Sequence, residues 1–492
     1  MCDVSFKINK YEPNGKNKMG FLNSLTKPFA YIPRSNSWEE TVVELADPDY
    51  VAIPLEYPRQ VLYKPLVKIG EQVYKNQIIG QSELGNCVNA SISGVVKDIV
   101  TIWTMRSFNV PAVLIQRNDK PAWSLDKVFG QYGVSFNAAS SIDKLKAMGV
   151  ISPWTLPGRF HHEADESFPE IKKVVIKGAD EEPTIHIFKL LLQQNFESII
   201  RGIKHISNLA VKAEVILTVS SNMVDWAQNI FGNLVKVVGV PNDYKHRIER
   251  MLVPRVTGID IPNTVAYRSR GVAVISTEYL IALADALDGK GPLIHKYLTI
   301  AGSNIEKPVT IKFPIGTAVR TILESRNLSK EQYARILIGG PMKGNAQYTD
   351  LTPLTKSSHG LYLMEPEELP EETNLTCINC GRCTQVCPVN LQVQLIGRYV
   401  EFNMLTETHD FHPEACNECG LCVYVCPAHR PLVQLIQMSK KYIGKHDETN
   451  KCQIECGSKC PLERWEFNIQ DSDIVAGGTT AVNSSKLLDI RG

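Results

Sequence analysis

The sequence lacks any long apolar run, since none of its 492 residues fall in an uncharged apolar stretch of the ~18 residues needed to cross a membrane. The N-terminus, which begins Met1-Cys2-Asp3, also lacks the apolar core of a secretory signal. We therefore expect an intracellular protein, soluble by itself, with no transmembrane segment of its own. Association with the cytoplasmic face of a membrane through partner subunits stays open, because such docking needs no membrane span.

The sequence also has little net charge. Its 53 Lys and Arg residues nearly balance 52 Asp and Glu residues, which leaves a formal net charge of +1. Because nucleic-acid-binding proteins carry a basic surface, this balance predicts no nucleic-acid partner. The length predicts about three or four domains of roughly 100 to 200 residues each.

Cysteine is scarce over the first three quarters of the chain, where only Cys2 and Cys87 occur. A disulfide scaffold would distribute its cysteines along the chain, so this pattern excludes one. We interpret the two early cysteines as reduced thiols without a reactive role. The other eleven of the thirteen cysteines follow residue 376, and cysteine chemistry is therefore confined to the C-terminal part.

The N-terminal part of the chain divides into two segments. Residues 1–45 are rich in Asn, Lys, Pro and Ser and predict an extended leader. Residues 46–118 contain short apolar runs separated by glycine turns, which predict a small all-β unit. Its spacing resembles the barrel-sandwich hybrid of biotinyl and lipoyl domains. The hairpin tip at 85–90 has no lysine for a prosthetic group, so we expect a structural role.

The pattern of predicted strands and helices changes twice in the middle of the chain. Residues 135–292 alternate strand-like runs with helical stretches, which predicts a Rossmann-like α/β domain with a parallel sheet. Residues 293–365 return to strands around one helix and predict a small α+β domain. An acidic linker with two prolines, residues 365–372, precedes the cysteine module. The predicted class is therefore multidomain, α/β plus α+β, with a cysteine module at 370–440 and a cysteine-containing tail at 441–492.

The cysteine module contains the same run twice, three cysteines at two-residue gaps followed by a Cys-Pro pair. This pattern is typical of bacterial two-cluster ferredoxins, in which the last cysteine of each run binds the cluster of the other run. Thiolates suit iron in such clusters. We predict one [4Fe-4S] cluster on Cys377, Cys380, Cys383 and Cys426 and a second on Cys416, Cys419, Cys422 and Cys387. The rival interpretation, two structural zinc sites, does not account for a Cys-Pro at the same offset in both runs.

A third group of cysteines follows in the tail. Cys452, Cys456 and Cys460 are separated by three-residue gaps, which do not fit the ferredoxin run. One interpretation is a third metal site, zinc or another cluster, on a helix face or on a loop with a distant fourth ligand. The other is a set of unliganded thiols near a partner interface.

An amphipathic helix is predicted at 391–402, between the two cysteine runs, and we expect it to cover the first two clusters.

The order of these domains resembles the RnfC family, whose members belong to the Rnf electron-transport complex, over about residues 50–440. The matching segments share characteristic glycine and proline positions, and they lie at 65–70, 93–96, 178–183 and 339–344. The resemblance implies a middle domain similar to the flavin- and NADH-binding subunit of respiratory complex I, then a soluble-ligand-binding (SLBB) β-grasp domain. Relatives of this kind include cobalamin reductases and subunits of soluble electron-transfer complexes.

The sequence departs from that resemblance in the nucleotide pocket. FMN- and NADH-using members carry a Gly-Gly-Ala-Gly-Phe-Pro loop, whereas residues 149–158 keep only the flanking glycines. Trp154 and two prolines would fill the phosphate space and remove amide donors. A Gly-Gly-Glu-Lys segment is replaced near 240–246, and Ser276-Thr277-Glu278 stands where an Asn-Val-Gly turn is expected. We therefore expect that the FMN and NADH site has been lost.

The resemblance also implies cofactor-binding candidates at Gly178, Asp180 and Glu182, since this acidic motif touches flavin and nicotinamide ribose in relatives. At the start of a helix, the two carboxylates would instead cap backbone amides, and we favour that interpretation.

The sequence therefore predicts an iron–sulfur electron-transfer subunit that relays single electrons through two [4Fe-4S] clusters between the partner subunits of an oxidoreductase complex. Two alternatives stay open. One is an FMN-dependent subunit of the Rnf or cobalamin-reductase type that oxidises NADH. The other is a structural assembly subunit whose clusters stabilise the C-terminal module.

Overall fold

The computed structural model describes residues 38–57, 61–102, 110–150, 170–369 and 375–456. Most of the predicted leader, the pocket loop from residue 151 onward, the linker from residue 370 to 374 and Cys460 lie outside these ranges.

The first unit is a barrel of short strands. Strand β1 (Val42–Glu44) precedes it in the chain and belongs to another sheet. The strands of the barrel are β2 (Tyr50–Pro54), β3 (Glu56–Tyr57), β4 (Val61–Leu62), β5 (Lys64–Pro65), β6 (Gln72–Val73), β7 (Ile78–Gln81), β8 (Cys87–Asn89), β9 (Gly94–Ile102) and β10 (Val110–Arg117). A four-stranded sheet, β2-β10-β9-β6, faces a three-stranded sheet, β5-β7-β8, around a common apolar core. Cys87 is fully buried in β8, and burial raises the pKa of its thiol to about 12. It is therefore a core thiol rather than a nucleophile.

The second unit is built on a parallel sheet of four strands. They are β11 (Lys173–Lys177), β12 (Glu214–Ser220), β13 (Lys236–Val240) and β14 (Val272–Ser276), in the order β13-β12-β11-β14. The helices of this part are α1 (Leu125–Tyr132), α2 (Ser141–Ala147), α3 (Phe188–Gln194), α4 (Phe196–Leu209), α5 (Val224–Phe231), α6 (Tyr244–Arg247), α7 (Glu249–Thr257) and α8 (Thr277–Leu287). Chain order reverses between β11 and β14, and ligands of open α/β sheets bind at the carboxyl ends of strands at such a reversal.

The third unit is a mixed six-stranded sheet in the order β1-β16-β15-β19-β17-β18. Its remaining elements are β15 (His295–Gly302), β16 (Val309–Pro314), α9 (Val319–Glu324), β17 (Arg335–Ile338), β18 (Asn345–Ala346) and β19 (Gly360–Met364). The end of the predicted leader takes part in this sheet, because Val42 pairs with Thr310 in a parallel ladder. A three-residue strand has too few residues to show an alternating pattern, so the sequence did not reveal it.

The cysteine module is helical. Its helices are α10 (Arg382–Val386), α11 (Val393–Glu401), α12 (Leu421–Tyr424) and α13 (Leu432–Cys456). Two short 3₁₀ helices of the module are Thr406–Phe411 and Pro413–Ala415. Those of the preceding units are Ser221–Met223, Tyr267–Arg270, Lys330–Gln332 and Pro366–Glu368. Ile396 of α11 and Ile436 of α13 are fully buried and join several cysteines in one core. None of the helices among the described residues combines the length and apolar character needed to span a membrane.

Candidate metal centres

The first hollow of the cysteine module opens toward solvent. Its lining includes Cys377, Cys380, Cys383 and Cys426. Cys383 is buried, whereas Cys380 is exposed. The hollow therefore combines three cysteines of the first run with the last cysteine of the second run.

The second hollow has a partly apolar wall. Its lining includes Cys387, Cys416, Cys419 and Cys422. Val393, Leu421 and Ile436 complete part of its wall. Each of the two cysteine sets predicted from the sequence is thus brought around one hollow.

The two runs reach this arrangement through the same backbone turns. Asn379 and Glu418, at corresponding positions, both have positive φ, of 55° and 52°. Gly381 and Gly420 follow with φ of 72° and 78°, a conformation that glycine adopts without steric cost. The turn directs the amide of Glu418 to the sulfur of Cys416, at 3.3 Å. Such N–H groups stabilise a negative sulfur.

Burial makes four of the thiols in the hollows poorer acids. Burial raises the pKa of Cys416 to about 11, and it also raises the pKa of Cys383, Cys419 and Cys422. Only thiolates bind metals, so loading of either hollow must release protons to solvent. We infer that positively charged metal is needed to hold these sulfurs in the thiolate form.

The donor set fits iron–sulfur clusters. Each hollow offers four sulfurs, and within the described ranges no three His, Cys, Asp or Glu side chains lie close enough to hold a single metal ion. A zinc ion would bind its sulfurs at ~2.3 Å and hold them close together. Two sets of four sulfurs match the number of thiolates that two cubane clusters need.

The third cysteine group is only partly described. The backbone of Cys452 and Cys456 is part of helix α13. Their side chains and the whole of Cys460 lie outside the described residues, so the third metal site stays a prediction.

The candidates at the carboxyl end of β11 have partners within the protein. The Asp180 carboxylate accepts hydrogen bonds from the amides of Ile187 at 2.9 Å, Phe188 at 2.8 Å and Lys189 at 3.2 Å, at the start of α3. Burial nevertheless raises its pKa. Gly178 is packed so closely that a Cβ would lie 2.7 Å from the Thr218 carbonyl. In this structure both residues organise the chain itself.

Glu182 connects the parallel sheet to the loop at 339–344. Its carboxylate accepts hydrogen bonds from the amides of Met342 at 3.2 Å and Lys343 at 2.8 Å. Burial raises the pKa of Glu182 to about 7, although these amides favour the charged form. The carboxylate thus caps a loop of the neighbouring domain.

A buried ion pair occupies the carboxyl end of β14, and sequence reasoning missed it. Glu278 pairs with Lys296, and its Oε2 also lies 3.5 Å from Nε2 of His359. Glu278 and Lys296 are only 4% and 7% exposed. Burial alone would favour the neutral acid, but Lys296 and His359 outweigh it and lower the pKa of Glu278 to about 2. The pair places a carboxylate where the resemblance leads one to expect an Asn-Val-Gly turn.

Two known domain families match the chain. The 4Fe-4S dicluster domain matches residues 370–427, and the RnfC barrel sandwich hybrid domain matches residues 31–120. With the mixed α/β sheets between them, these domains define a multidomain iron–sulfur protein, as the sequence predicted. More particularly, the chain is RnfC-like, and this prediction is confirmed.

Similar curated proteins are, by name, C subunits of ion-translocating oxidoreductases. The C subunit of the proton-translocating ferredoxin:NAD(+) oxidoreductase complex of Clostridium ljungdahlii is 27% identical over 365 residues, which cover 72% of this chain and 79% of the relative. The C subunit of the Na(+)-translocating ferredoxin:NAD(+) oxidoreductase complex of Acetobacterium woodii is 27% identical over 406 residues, which cover 80% of this chain and 91% of the relative.

A solved structure is similar only at a low level. The NAD+-reducing [NiFe]-hydrogenase in its H2-reduced state matches with a TM-score of 0.40 and 14% identity, over 64% of this chain and 65% of that chain. A likeness at this level carries no argument about activity.

Proposed function

We propose that the chain is an iron–sulfur electron-transfer subunit of a larger oxidoreductase complex, and that it passes single electrons between partner subunits through two [4Fe-4S] clusters. The observation that carries the proposal is the pair of four-cysteine hollows in one module. The proposed ligands are Cys377, Cys380, Cys383 and Cys426 for the first cluster and Cys416, Cys419, Cys422 and Cys387 for the second. When bound, each cluster would accept and release one electron.

The residues of the chain have separate tasks in this proposal. The left-handed turns at Gly381 and Gly420 bring successive cysteines around each hollow. The amide of Leu391 lies 3.4 Å from the sulfur of Cys387 and donates to it. Apolar side chains such as Ile436 form part of the wall of the second hollow. Water exclusion and amide donors are two of the means by which a protein sets a cluster potential.

The same proposal assigns the middle of the chain to docking rather than to chemistry. The parallel sheet would be the Rossmann-like, complex-I flavoprotein-type domain at 135–292, and the mixed sheet the SLBB β-grasp domain at 293–365. The named relatives support partners that are other subunits of such a complex. We propose that the chain associates with the cytoplasmic face of the membrane through those subunits.

We further propose that the FMN and NADH site is lost. Asp180 and Glu182 already accept backbone hydrogen bonds, which supports a capping role for both. The neighbouring strand end is occupied by the buried pair of Glu278 and Lys296, in which the lysine is already engaged by the carboxylate. The carbonyl of Gly149, at the start of the altered loop, is bound by the Lys356 ammonium at 2.7 Å.

An NADH titration separates this proposal from the flavoenzyme alternative. The full chain is purified anaerobically, its cofactors are extracted, and NADH is added while the visible spectrum is recorded. We expect no released FMN and no bleaching by NADH, because the sequence of residues 149–158 departs from the glycine-rich loop of FMN-using members, whereas dithionite bleaches the cluster absorption.

The controls decide between the three functions. The titration is repeated after incubation with added FMN, which tests for a site that lost its cofactor during purification. Bound FMN together with bleaching by NADH would establish the flavoenzyme and contradict the lost site. Clusters that resist reduction by dithionite would support the structural role instead.

A further inference from the structure

A tyrosine of another domain contacts the cysteine loop beside the second hollow. Tyr244, on α6 of the parallel-sheet domain, is 4% exposed, and its hydroxyl donates a hydrogen bond of 2.8 Å to the carbonyl oxygen of Cys419. Its ring belongs to an apolar cluster with Ile248 of the same domain and with Val386 and Leu421 of the cysteine module. One side chain therefore contacts both the backbone and the wall of the hollow.

Two further contacts hold the same cysteine loop against the rest of the chain. Asn263 donates a hydrogen bond of 3.0 Å to the carbonyl of Ala415, the residue before Cys416. On the other side, the carbonyl of Met342 lies against Gly420 so closely that no Cβ would fit. The second run is thus fixed from two domains, whereas the first run leaves Cys380 exposed.

We propose that Tyr244 is a positioning residue for the second cysteine hollow, where it fixes the Cys419 peptide and sets the reduction potential of the cluster held there. The inference rests on the proposed function, since it assumes a cluster at that site. According to this inference, the two clusters differ in reduction potential partly because Tyr244 of the parallel-sheet domain donates a hydrogen bond to the second cysteine run alone.

The direction of the effect follows from the hydroxyl dipole. The O–H bond points its positive end at the Cys419 carbonyl, and it thereby reduces the negative potential beside the sulfur. A cluster becomes more negative when it is reduced, so a nearby donor favours the reduced form and raises the potential. The low dielectric of the buried contact strengthens the effect.

The test is a redox titration of the full chain followed by EPR, with Tyr244→Phe. This variant keeps the ring and removes only the hydroxyl. We expect about eight irons per chain, as in the wild type, and a shift of one midpoint potential to a more negative value with the other unchanged. Tyr132→Phe, in α1 beside the barrel, is the matched control and should shift neither potential.

The shift is assigned to a cluster by repeating Tyr244→Phe in a Cys380→Ala background, which is expected to keep only the second cluster. The shift should persist there. Selective loss of the second cluster in Tyr244→Phe would also support the positioning role. A difluorotyrosine at position 244, a stronger donor of nearly the same size, should shift the same potential upward.

Two results would overturn the inference. One is a pair of unchanged potentials in both Tyr244 variants, and the other is a shift confined to the first cluster. Neither result would contradict the proposed function. That function would be contradicted by a different result, a wild-type chain that holds no iron.

Discussion

Replacing Cys380 by alanine is expected to remove one cluster and to leave the other. Iron should fall from about eight to about four atoms per chain, because a cubane that loses one of its four thiolate ligands is not retained. Electron transfer between reduced and oxidised partners should then stop. Cys380 is exposed, so the substitution leaves no cavity in a core. Iron analysis and EPR after anaerobic purification measure the first effect, and stopped-flow bleaching measures the second.

Cys87→Ala is the matched control, since this cysteine is buried in the barrel and lies outside the module. It should keep both clusters. Circular dichroism should show that the barrel and the parallel-sheet domain stay folded in Cys380→Ala. Unchanged electron transfer in that variant would refute the relay, and a loss of zinc instead of iron would restore the zinc interpretation.

Double substitutions test which cysteines share a cluster. Cys380→Ala with Cys426→Ala should lose no more iron than Cys380→Ala alone, because both side chains line the first hollow. Cys380→Ala with Cys387→Ala should lose nearly all the iron, because Cys387 lines the second. The reverse outcome would show that each run binds its own cluster and that the crossed pairing is incorrect.

The two sets of cysteine ligands could be predicted because the residues that define them lie close together in the sequence. Ligand type, two-residue gaps and the Cys-Pro offset repeat within a short segment, and the left-handed turns at Gly381 and Gly420 follow from the same motif. The strands of the parallel sheet were equally accessible, since β11 and β12 are continuous apolar runs.

The contacts between domains could not be predicted in this way. Tyr244 reaches Cys419, and Glu182 reaches Lys343, across many intervening residues. A single tyrosine or glutamate carries no periodic signal that would identify its partner. The sequence did show that the segment near 240–246 departs from the resemblance, and Tyr244 is one of the residues that this departure introduced.

The pair Glu278 and Lys296 lies at the boundary between two domains. The Glu278 carboxylate also accepts a hydrogen bond of 3.1 Å from the amide of Tyr297, on β15 of the mixed sheet. The pair therefore joins the parallel sheet to the next domain at the strand ends where a ligand would bind. A buried pair is costly to break, because removing one partner leaves an uncompensated charge in a low dielectric.

Lys296→Met is accordingly expected to lower the free energy of unfolding by about 3 to 5 kcal/mol at neutral pH. Glu278→Gln in the same chain should recover part of this loss, since no charge then stays unpaired. Lys64→Met, which breaks the exposed pair with Glu83, is the matched control and should cost at most about 1 kcal/mol. Chemical denaturation followed by circular dichroism measures all three.

The pH dependence gives an independent check on the same pair. The pKa of Glu278 is about 2 in the folded chain against an ordinary value of 4.5. Because the folded pKa is the lower one, the unfolded chain binds more protons between these values, and the stabilisation present above pH 4.5 is lost as the pH falls toward 2. Without Lys296, burial should raise the pKa of Glu278 above its value in the unfolded chain. The difference in free energy of unfolding between Lys296→Met and wild type should therefore become smaller as the pH falls. A deficit that stays constant from pH 7 to pH 4 would contradict the buried pair as its source.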